Sequence, residues 1–324
     1  MEKGKLKFGI SLYSFADSFS DYRLDMEAML GAAKDLGCTG ISVVAAQHVP
    51  EYPYISDAWL YGFRKLMEKY SLEPVCWEGY LDVGMRADRD LNDEEKLEFT
   101  KNDIVYARKA GFKMIKTQHS ISPELFRSLL PFCRRMGAQL SIEMHSPHHL
   151  HVPVWQEYIK IFANSDGYLG CVPDLSVWQH FPHQLHINQA LEAGGRKEII
   201  DVVLSMMKDG KSLDDVLKLD LSEIEKQYAG EFYHKFGHPA DLADLPILLK
   251  YATMIHGKFY YLADTEHDPC IPFDKIMPVI KQFGYDKYIL AEYEGHHYSI
   301  REDDVEQCRR CLALMKNLYD ARAV

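Results

Sequence analysis

Carboxylates and imidazoles recur in this chain where short apolar runs end: Glu143 and His145 in SIEMH, Asp174 in VPDLS, His256 in IHGKF, and Glu292 and Glu294 in LAEYEG. Tyr13 and Ser14, Gln47 and His48, Glu78, and Gln118 and His119 hold the same kind of position earlier in the sequence. One polar group at the end of an apolar run carries little information, whereas a ring of them marks a site. Within the ring, Glu143, Asp174, His256 and Glu292 supply three carboxylates and one imidazole. That set suits Mn²⁺, Mg²⁺ or Co²⁺ better than the cysteine-rich environment of structural zinc. Three negative charges in a cleft are costly without a cation. Taken singly, each residue reads equally well as an ion-pair partner or a satisfied polar core group.

The elements that position these groups follow from a recurring phrase: an amphipathic helix, a glycine, a few residues and a short apolar strand. It appears as KDLGCTGISVV around Gly37, RKAGFKMIKT around Gly111, RRMGAQLSIEM around Gly137 and KQFGYDKYILAEY around Gly284. Glycine after a helix is what a left-handed C-cap favours, so each phrase marks a helix feeding a strand. With weaker versions in KYSLEPVCWEG and SDGYLGCVPDL, an opening strand and the segment Met254 to Leu262, eight strands are predicted, starting near residues 7, 40, 73, 113, 139, 168, 254 and 287. Eight strands alternating with helices predict an α/β fold, a single (β/α)8 barrel over residues 1–324. The competing open doubly wound sheet lacks a GxGxxG-type turn after its first strand. In the barrel, the four candidate ligands come from the neighbouring fifth to eighth strands and gather at the C-terminal ends, where such barrels carry their chemistry.

About 75 residues separate Trp178 from Met254, roughly twice what a plain barrel connection needs. The excess predicts a helical insertion over 180–250 between strands 6 and 7, either a lid or partner surface on the catalytic face or a decorative hairpin. Composition is that of a folded globular protein, with 47% hydrophobic and 26% charged residues. The balance of 37 basic against 48 acidic residues, a net charge of −11, argues against nucleic acid or anionic lipid as partner. No signal peptide and no membrane span are read in the sequence. Seven cysteines in mostly apolar context predict a reducing, cytoplasmic location, and Cys308 and Cys311 fall on one helical stripe with Val305, Leu312 and Met315.

Through SIEMH, VPDLS, IHGKF and LAEYEG, taken in strand order, the chain resembles the xylose-isomerase-like TIM-barrel superfamily. That group holds sugar isomerases, ketose 3-epimerases, inosose dehydratases and apurinic endonucleases. The resemblance covers nearly the whole length and implies that Glu143, Asp174, His256 and Glu292 are metal ligands. It also separates branches. Ketose 3-epimerases carry a histidine, a glutamate and an arginine at positions that here are Val177, His149 and Leu262, so simple ketose epimerisation is not expected. The endonuclease branch needs a richer zinc cluster and a basic face. The run from His256 to Tyr298, with EMHSPHH and the long insertion, is similar to the catalytic α subunits of C-glycoside deglycosidases. Those enzymes act with a small β subunit on 3-oxo glucosides and cleave the carbon–carbon bond between sugar and aromatic aglycone.

The resemblance implies a metal-dependent lyase on oxidised glycosides, with Mn²⁺ as cofactor and a hetero-oligomer as assembly. Competing readings are a keto-sugar or inosose isomerase, epimerase or dehydratase, and a non-catalytic sugar-binding subunit with a vestigial metal site. Under the lyase reading Glu143 or Glu292 removes the proton beside the sugar carbonyl, and His145 exchanges a proton with the aryl group. His145 reads equally as a partner that orients Glu143. Tyr13, Trp77, Glu78, His119, His148, His149, Trp178, Glu294 and His296 are the expected substrate contacts, the aromatic ones by stacking on sugar faces or a planar aglycone. His180, His183 and His186 are expected to be surface residues or helix caps.

Overall fold

The computed structural model describes residues 5–321. Its strands are β1 (Lys7–Ser11), β2 (Gly40–Val44), β3 (Glu73–Glu78), β4 (Met114–Thr117), β5 (Gln139–Met144), β6 (Leu169–Pro173), β7 (Ile255–Phe259) and β8 (Tyr288–Tyr293). All pairings are parallel, in the order β6-β5-β4-β3-β2-β1-β8-β7, with β1 bonded to both β2 and β8. The remaining seam, between β6 and β7, is held by two isolated bridges, Cys171 with Ala252 and Asp174 with His256. The result is a nearly closed parallel barrel whose strands begin within one residue of the positions expected from sequence.

Helices cover the outside, and their ends explain the recurring phrase. The helix Asp93–Ala110 opens on a capping box between Asn92 and Glu95 and closes on Gly111 at φ 100°, a conformation that penalises any residue with a Cβ. Between β6 and β7 the chain leaves the barrel for a helical insertion: Gln184–Glu192, Lys197–Lys208, Leu213–Val216 and Glu223–Phe236. This insertion has its own apolar cluster, including Ile200, Val203, Val216, Phe232 and Phe236, separate from that of the barrel wall. Arg196 is tied to the fully buried Glu225 through its backbone N–H and its guanidinium, at 2.8–2.9 Å. No helix among the described residues is long and apolar enough to cross a membrane.

Alternation along the strands sorts the barrel interior into two layers. Cys76, Met114, Val172, Met254, Tyr288 and Leu290 form one apolar cluster at its base. Two residues further along the same strands come Glu78, Lys116, Asp174, His256 and Glu292, all buried. The step of two keeps the inward direction and moves each side chain one layer toward the C-terminal mouth. At the other end of the barrel, β1 and β2 approach so closely that a Cβ on Gly9 would lie 2.3 Å from the Gly40 carbonyl oxygen and 2.6 Å from the Leu290 side chain. Gly9→Ala is therefore expected to destabilise the fold by about 1–3 kcal/mol. Urea unfolding checks this, and an unchanged midpoint would show that the strands can separate at no cost.

Candidate metal centre

Strand register brings opposite charges together before any side chain turns. Glu78 on β3 is paired with Lys116 on β4, and Lys258 on β7 with Glu292 on β8. Lys116, 5% exposed, reaches Glu78 Oε2 at 2.7 Å and Glu143 Oε2 at 2.8 Å. Lys258 reaches Asp174 Oδ2 at 2.6 Å, Glu294 Oε1 at 2.9 Å and Glu292 Oε2 at 3.4 Å. Burial works against both ammonium charges, but the surrounding carboxylates outweigh it and hold both lysines above their ordinary range. Glu143 and Glu78 are likewise held ionised, below the usual carboxylate range: burial opposes the charge, and Lys116 and His256 override it. Glu294 behaves in the opposite way, pushed up by burial despite its contact with Lys258.

His256, fully buried on β7, sits at the middle of this network. Its Nδ1 meets Glu143 Oε1 and lies 3.1 Å from Glu292 Oε2, while Nε2 is turned toward Glu78 Oε1 at 3.5 Å. Asp174 stands across the β6/β7 seam, its Oδ1 fixed by the Ser176 backbone N–H at 2.8 Å. One donor atom from each of Glu143, Asp174, His256 and Glu292 lies within 4.8 Å of the others. Ligands on opposite sides of an ion bound at about 2.0–2.2 Å are separated by a little over 4 Å, so the spread fits one divalent cation. The wider balance points the same way. Five carboxylates against Lys116 and Lys258 leave an excess of two negative charges while Glu292 and Glu143 hold His256 protonated, and of three once it is neutral, the form in which an imidazole can ligate; a doubly charged ion removes most of it.

A cavity of about 330 Å³ opens above the cluster, lined among others by Tyr13, Glu78, His145, Tyr260, Glu292 and Glu294. Of the substrate contacts expected from sequence, Tyr13, Glu78 and Glu294 line it, and so do Glu143, His145 and Glu292, the residues expected to be catalytic. His296 lies one chamber away, beyond Tyr13. His119, His148 and His149 do not line the cavity; His119 stacks on His148 with centroids 3.9 Å apart and packs edge-on against Trp155. No residue of the insertion lines it either, but His183 of the insertion stacks at 4.5 Å on Tyr260, which does. His183 does cap a helix, but neither it nor His186 is a surface residue: each is 1% exposed, and His186 pairs with Glu231 at 3.1 Å. The lysines at 116 and 258 were not anticipated, although each follows an inward-facing residue by two positions.

Both tryptophans lie elsewhere than expected. Trp178 is 2% exposed and does not line the cavity. Trp77 immediately precedes the inward-facing Glu78 and therefore points out of the barrel, packing edge-on against Phe112. Its Nε1–H donates to Asp103 Oδ1 at 3.0 Å, and Tyr52 donates to the other oxygen at 3.1 Å. Burial pushes the Asp103 carboxyl up to about 6, with the two hydrogen bonds pulling down. Because this value exceeds the unfolded one of about 3.9, the contribution of Asp103 to stability falls as pH rises from about 4 through 6. Trp77→Phe removes a donor to the charged form and is expected to cost about 1.5–3 kcal/mol above pH 6, and less toward pH 4, with substrate KM unchanged. Unfolding curves across this pH range check it; a raised KM at unaltered stability would return Trp77 to the substrate site.

The chain has relatives among known proteins. A family profile for the xylose isomerase-like TIM barrel matches residues 30–317. The chain is 25% identical to the 3'-dehydrocarminate deglycosidase alpha subunit of a Microbacterium species, over 97% of its own length and 95% of that protein. It is 24% identical to a C-glycoside deglycosidase alpha subunit of Arthrobacter globiformis, over 97% and 93% of the two chains. Among solved structures, L-ribulose 3-epimerase superposes with a TM-score of 0.58 at 10% identity, covering 97% of this chain and 95% of that one. That likeness concerns the fold. With its eight parallel strands and the family match spanning most of its length, the chain belongs to the xylose isomerase-like TIM-barrel family.

Proposed function

We propose that this chain is a divalent-metal-dependent carbohydrate enzyme, the catalytic subunit of a C-glycoside deglycosidase acting on 3-oxo C-glycosides. The observation that carries the reading is the buried Glu143, Asp174, His256 and Glu292 cluster beneath a cavity of sugar-binding size. The names of the relatives it matches along nearly its full length support it. A bound cation supplies a Lewis acid for the 3-keto oxygen, which acidifies the neighbouring C2–H. Loss of that proton and departure of the aryl group from C1 leave a C1–C2 double bond conjugated with the ketone, and the aryl carbon takes up a proton.

Glu292 is the better-placed base. Glu143 has both oxygens engaged, one by His256 and one by Lys116, whereas Glu292 meets His256 and Lys258 through Oε2. His145 donates its Nδ1–H to the Ser146 carbonyl at 2.8 Å, which leaves Nε2 to exchange a proton with the aryl group. Lys258, anchored on Asp174 and Glu294, sits where a sugar hydroxyl or keto oxygen would find a charged donor. Val177 and Leu262, which stand at two of the positions where ketose 3-epimerases hold substrate, are buried apolar residues, so that alternative gains nothing here.

The assembly we favour includes a smaller partner subunit, in keeping with the "alpha subunit" in the relatives' names. The insertion is its candidate surface or a lid, since Val202, Leu217 and Ile224 are exposed on it. A reducing, cytoplasmic location is supported by seven buried, unpaired cysteines. Purified protein with Mn²⁺, with and without the partner, is expected to release aglycone from a 3-oxo C-glycoside. Glu292→Ala and Glu143→Ala should each lower kcat/KM by about 10³-fold or more and weaken Mn²⁺ binding, and His145→Gln should lower kcat by about 10²–10⁴-fold. Full activity of both glutamate variants, or an isomerised sugar without aglycone release, would overturn the reading.

A further inference from the structure

The insertion meets the wall of the metal-centre cavity through Tyr260. That residue stands two positions beyond Lys258, as Lys258 stands two beyond His256, so the alternation of β7 carries it inward, one layer above the lysine. Its hydroxyl makes no hydrogen bond to another described residue and, unlike those of Tyr285 and Tyr293, is not sealed off. Burial and the charge of Glu294 hold the phenol protonated, well above its ordinary range, while Lys258 pulls the other way. Tyr260 is therefore a neutral donor beside the charges of Lys258 and Glu294.

His183 sets the plane in which that phenol lies. Its ring stacks flat on Tyr260, with centroids 4.5 Å apart and planes 7° from parallel, and Tyr298 meets it edge-on at 4.3 Å. The buried His183 also caps the insertion helix Gln184–Glu192, its Nδ1 accepting from the His186 backbone N–H at 3.3 Å. The body of the insertion fixes this helix in turn. His186 pairs with Glu231 at 3.1 Å and packs edge-on against Phe232 at 4.9 Å, and Gln189 donates to the Tyr298 carbonyl at 3.1 Å. On the barrel side the backbone is equally tight, since a Cβ on Gly295 would lie 2.3 Å from the Tyr260 carbonyl oxygen. The phenol cannot swing toward the insertion without displacing a ring that is packed on several sides.

We propose that the insertion is a buttress for substrate binding: His183 is a positioning residue that holds the Tyr260 hydroxyl toward the cavity, where it donates to a sugar oxygen beside Lys258. The inference rests on the proposed sugar site, and it gives the insertion a task there without any of its own residues entering. A lid acting by direct contact would place side chains in the cavity wall, and among the described residues the insertion places none. A donor already held in line needs less ordering when the ligand arrives, so the effect falls on affinity.

Calorimetric titration of the full-length, Mn²⁺-loaded protein with phenyl C-glucoside tests this, because a glucoside without the 3-keto group has no acidified C2–H and binds without turning over. Tyr260→Phe keeps the ring and removes the donor, and is expected to weaken binding roughly tenfold, the worth of one hydrogen bond. His183→Asn keeps a capping side chain but no ring, and should show most of the same loss. His183→Phe restores a ring without the cap, and should recover most of the affinity although its thermal midpoint falls. The double variant Tyr260→Phe/His183→Asn should bind no more weakly than Tyr260→Phe, because the two act through one contact. Mn²⁺ affinity should hold in every variant, since neither residue belongs to the ligand set. Unchanged glucoside affinity in Tyr260→Phe would overturn the proposal, as would losses that add in the double variant or that follow the thermal midpoint instead of the ring. No binding by the original protein would overturn it as well. Aglycone release from the 3-oxo glucoside is measured in parallel. Release by Tyr260→Phe at an unaltered KM would sink the buttress and leave the reaction standing. The expected binding pattern without release would sink the reaction and leave the buttress.

Discussion

Five carboxylates converge on the C-terminal mouth of this barrel, and the two lysines that rise among them set the terms for everything nearby. Without Lys116, Glu78 and Glu143 would share a dry site as like charges; without Lys258, Asp174, Glu292 and Glu294 would do the same. Removing one member of such a network strands the others, which costs far more than the pair is worth in water. The ammonium groups still do not balance the site. The residual negative charge makes it a receptor for a divalent cation, and it concentrates where strand geometry places His256 against Glu143 and Glu292.

This balance also orders events at the site. Asp174 belongs both to the ligand cluster and to the contact of Lys258, so a cation that takes Asp174 competes with that lysine. Glu294 lies 2.9 Å from Lys258 and outside the ligand set, and offers the ammonium somewhere to remain. In the proposed reaction Lys258 then faces the cavity as a donor. The seam between β6 and β7 matters here as well. It is the least bonded joint of the barrel, and it carries Asp174 and His256 directly across from each other.

Much of this was legible in the sequence because it follows from local rules. Helix ends at Gly37, Gly111, Gly137 and Gly284 announced the strands, and spacing announced the insertion. The four donors stood out because acidic residues rarely end apolar runs. The lysines escaped notice because a lysine in a strand ordinarily reads as an outward position. Only the alternation from Met114 to Lys116, and from Met254 through His256 to Lys258, shows them facing inward. The same alternation explains Trp77: a neighbour of Glu78 cannot share its direction, and chemical plausibility as a stacking ring does not alter the pleat. His183 and His186 were misjudged because nothing local reveals that the insertion folds its first helix back against Tyr260, Tyr298 and Phe232.

Everything proposed for this site depends on the cation, and anomalous diffraction at the manganese edge from crystals grown with Mn²⁺ tests for it most directly. The expected result is one strong peak about 2.0–2.3 Å from a donor atom of each of Glu143, Asp174, His256 and Glu292, with Lys258 moved off Asp174 and held by Glu294. A map without a peak at saturating metal, with Lys258 still seated on Asp174, would show that the lysines alone balance the site, and would contradict the central claim.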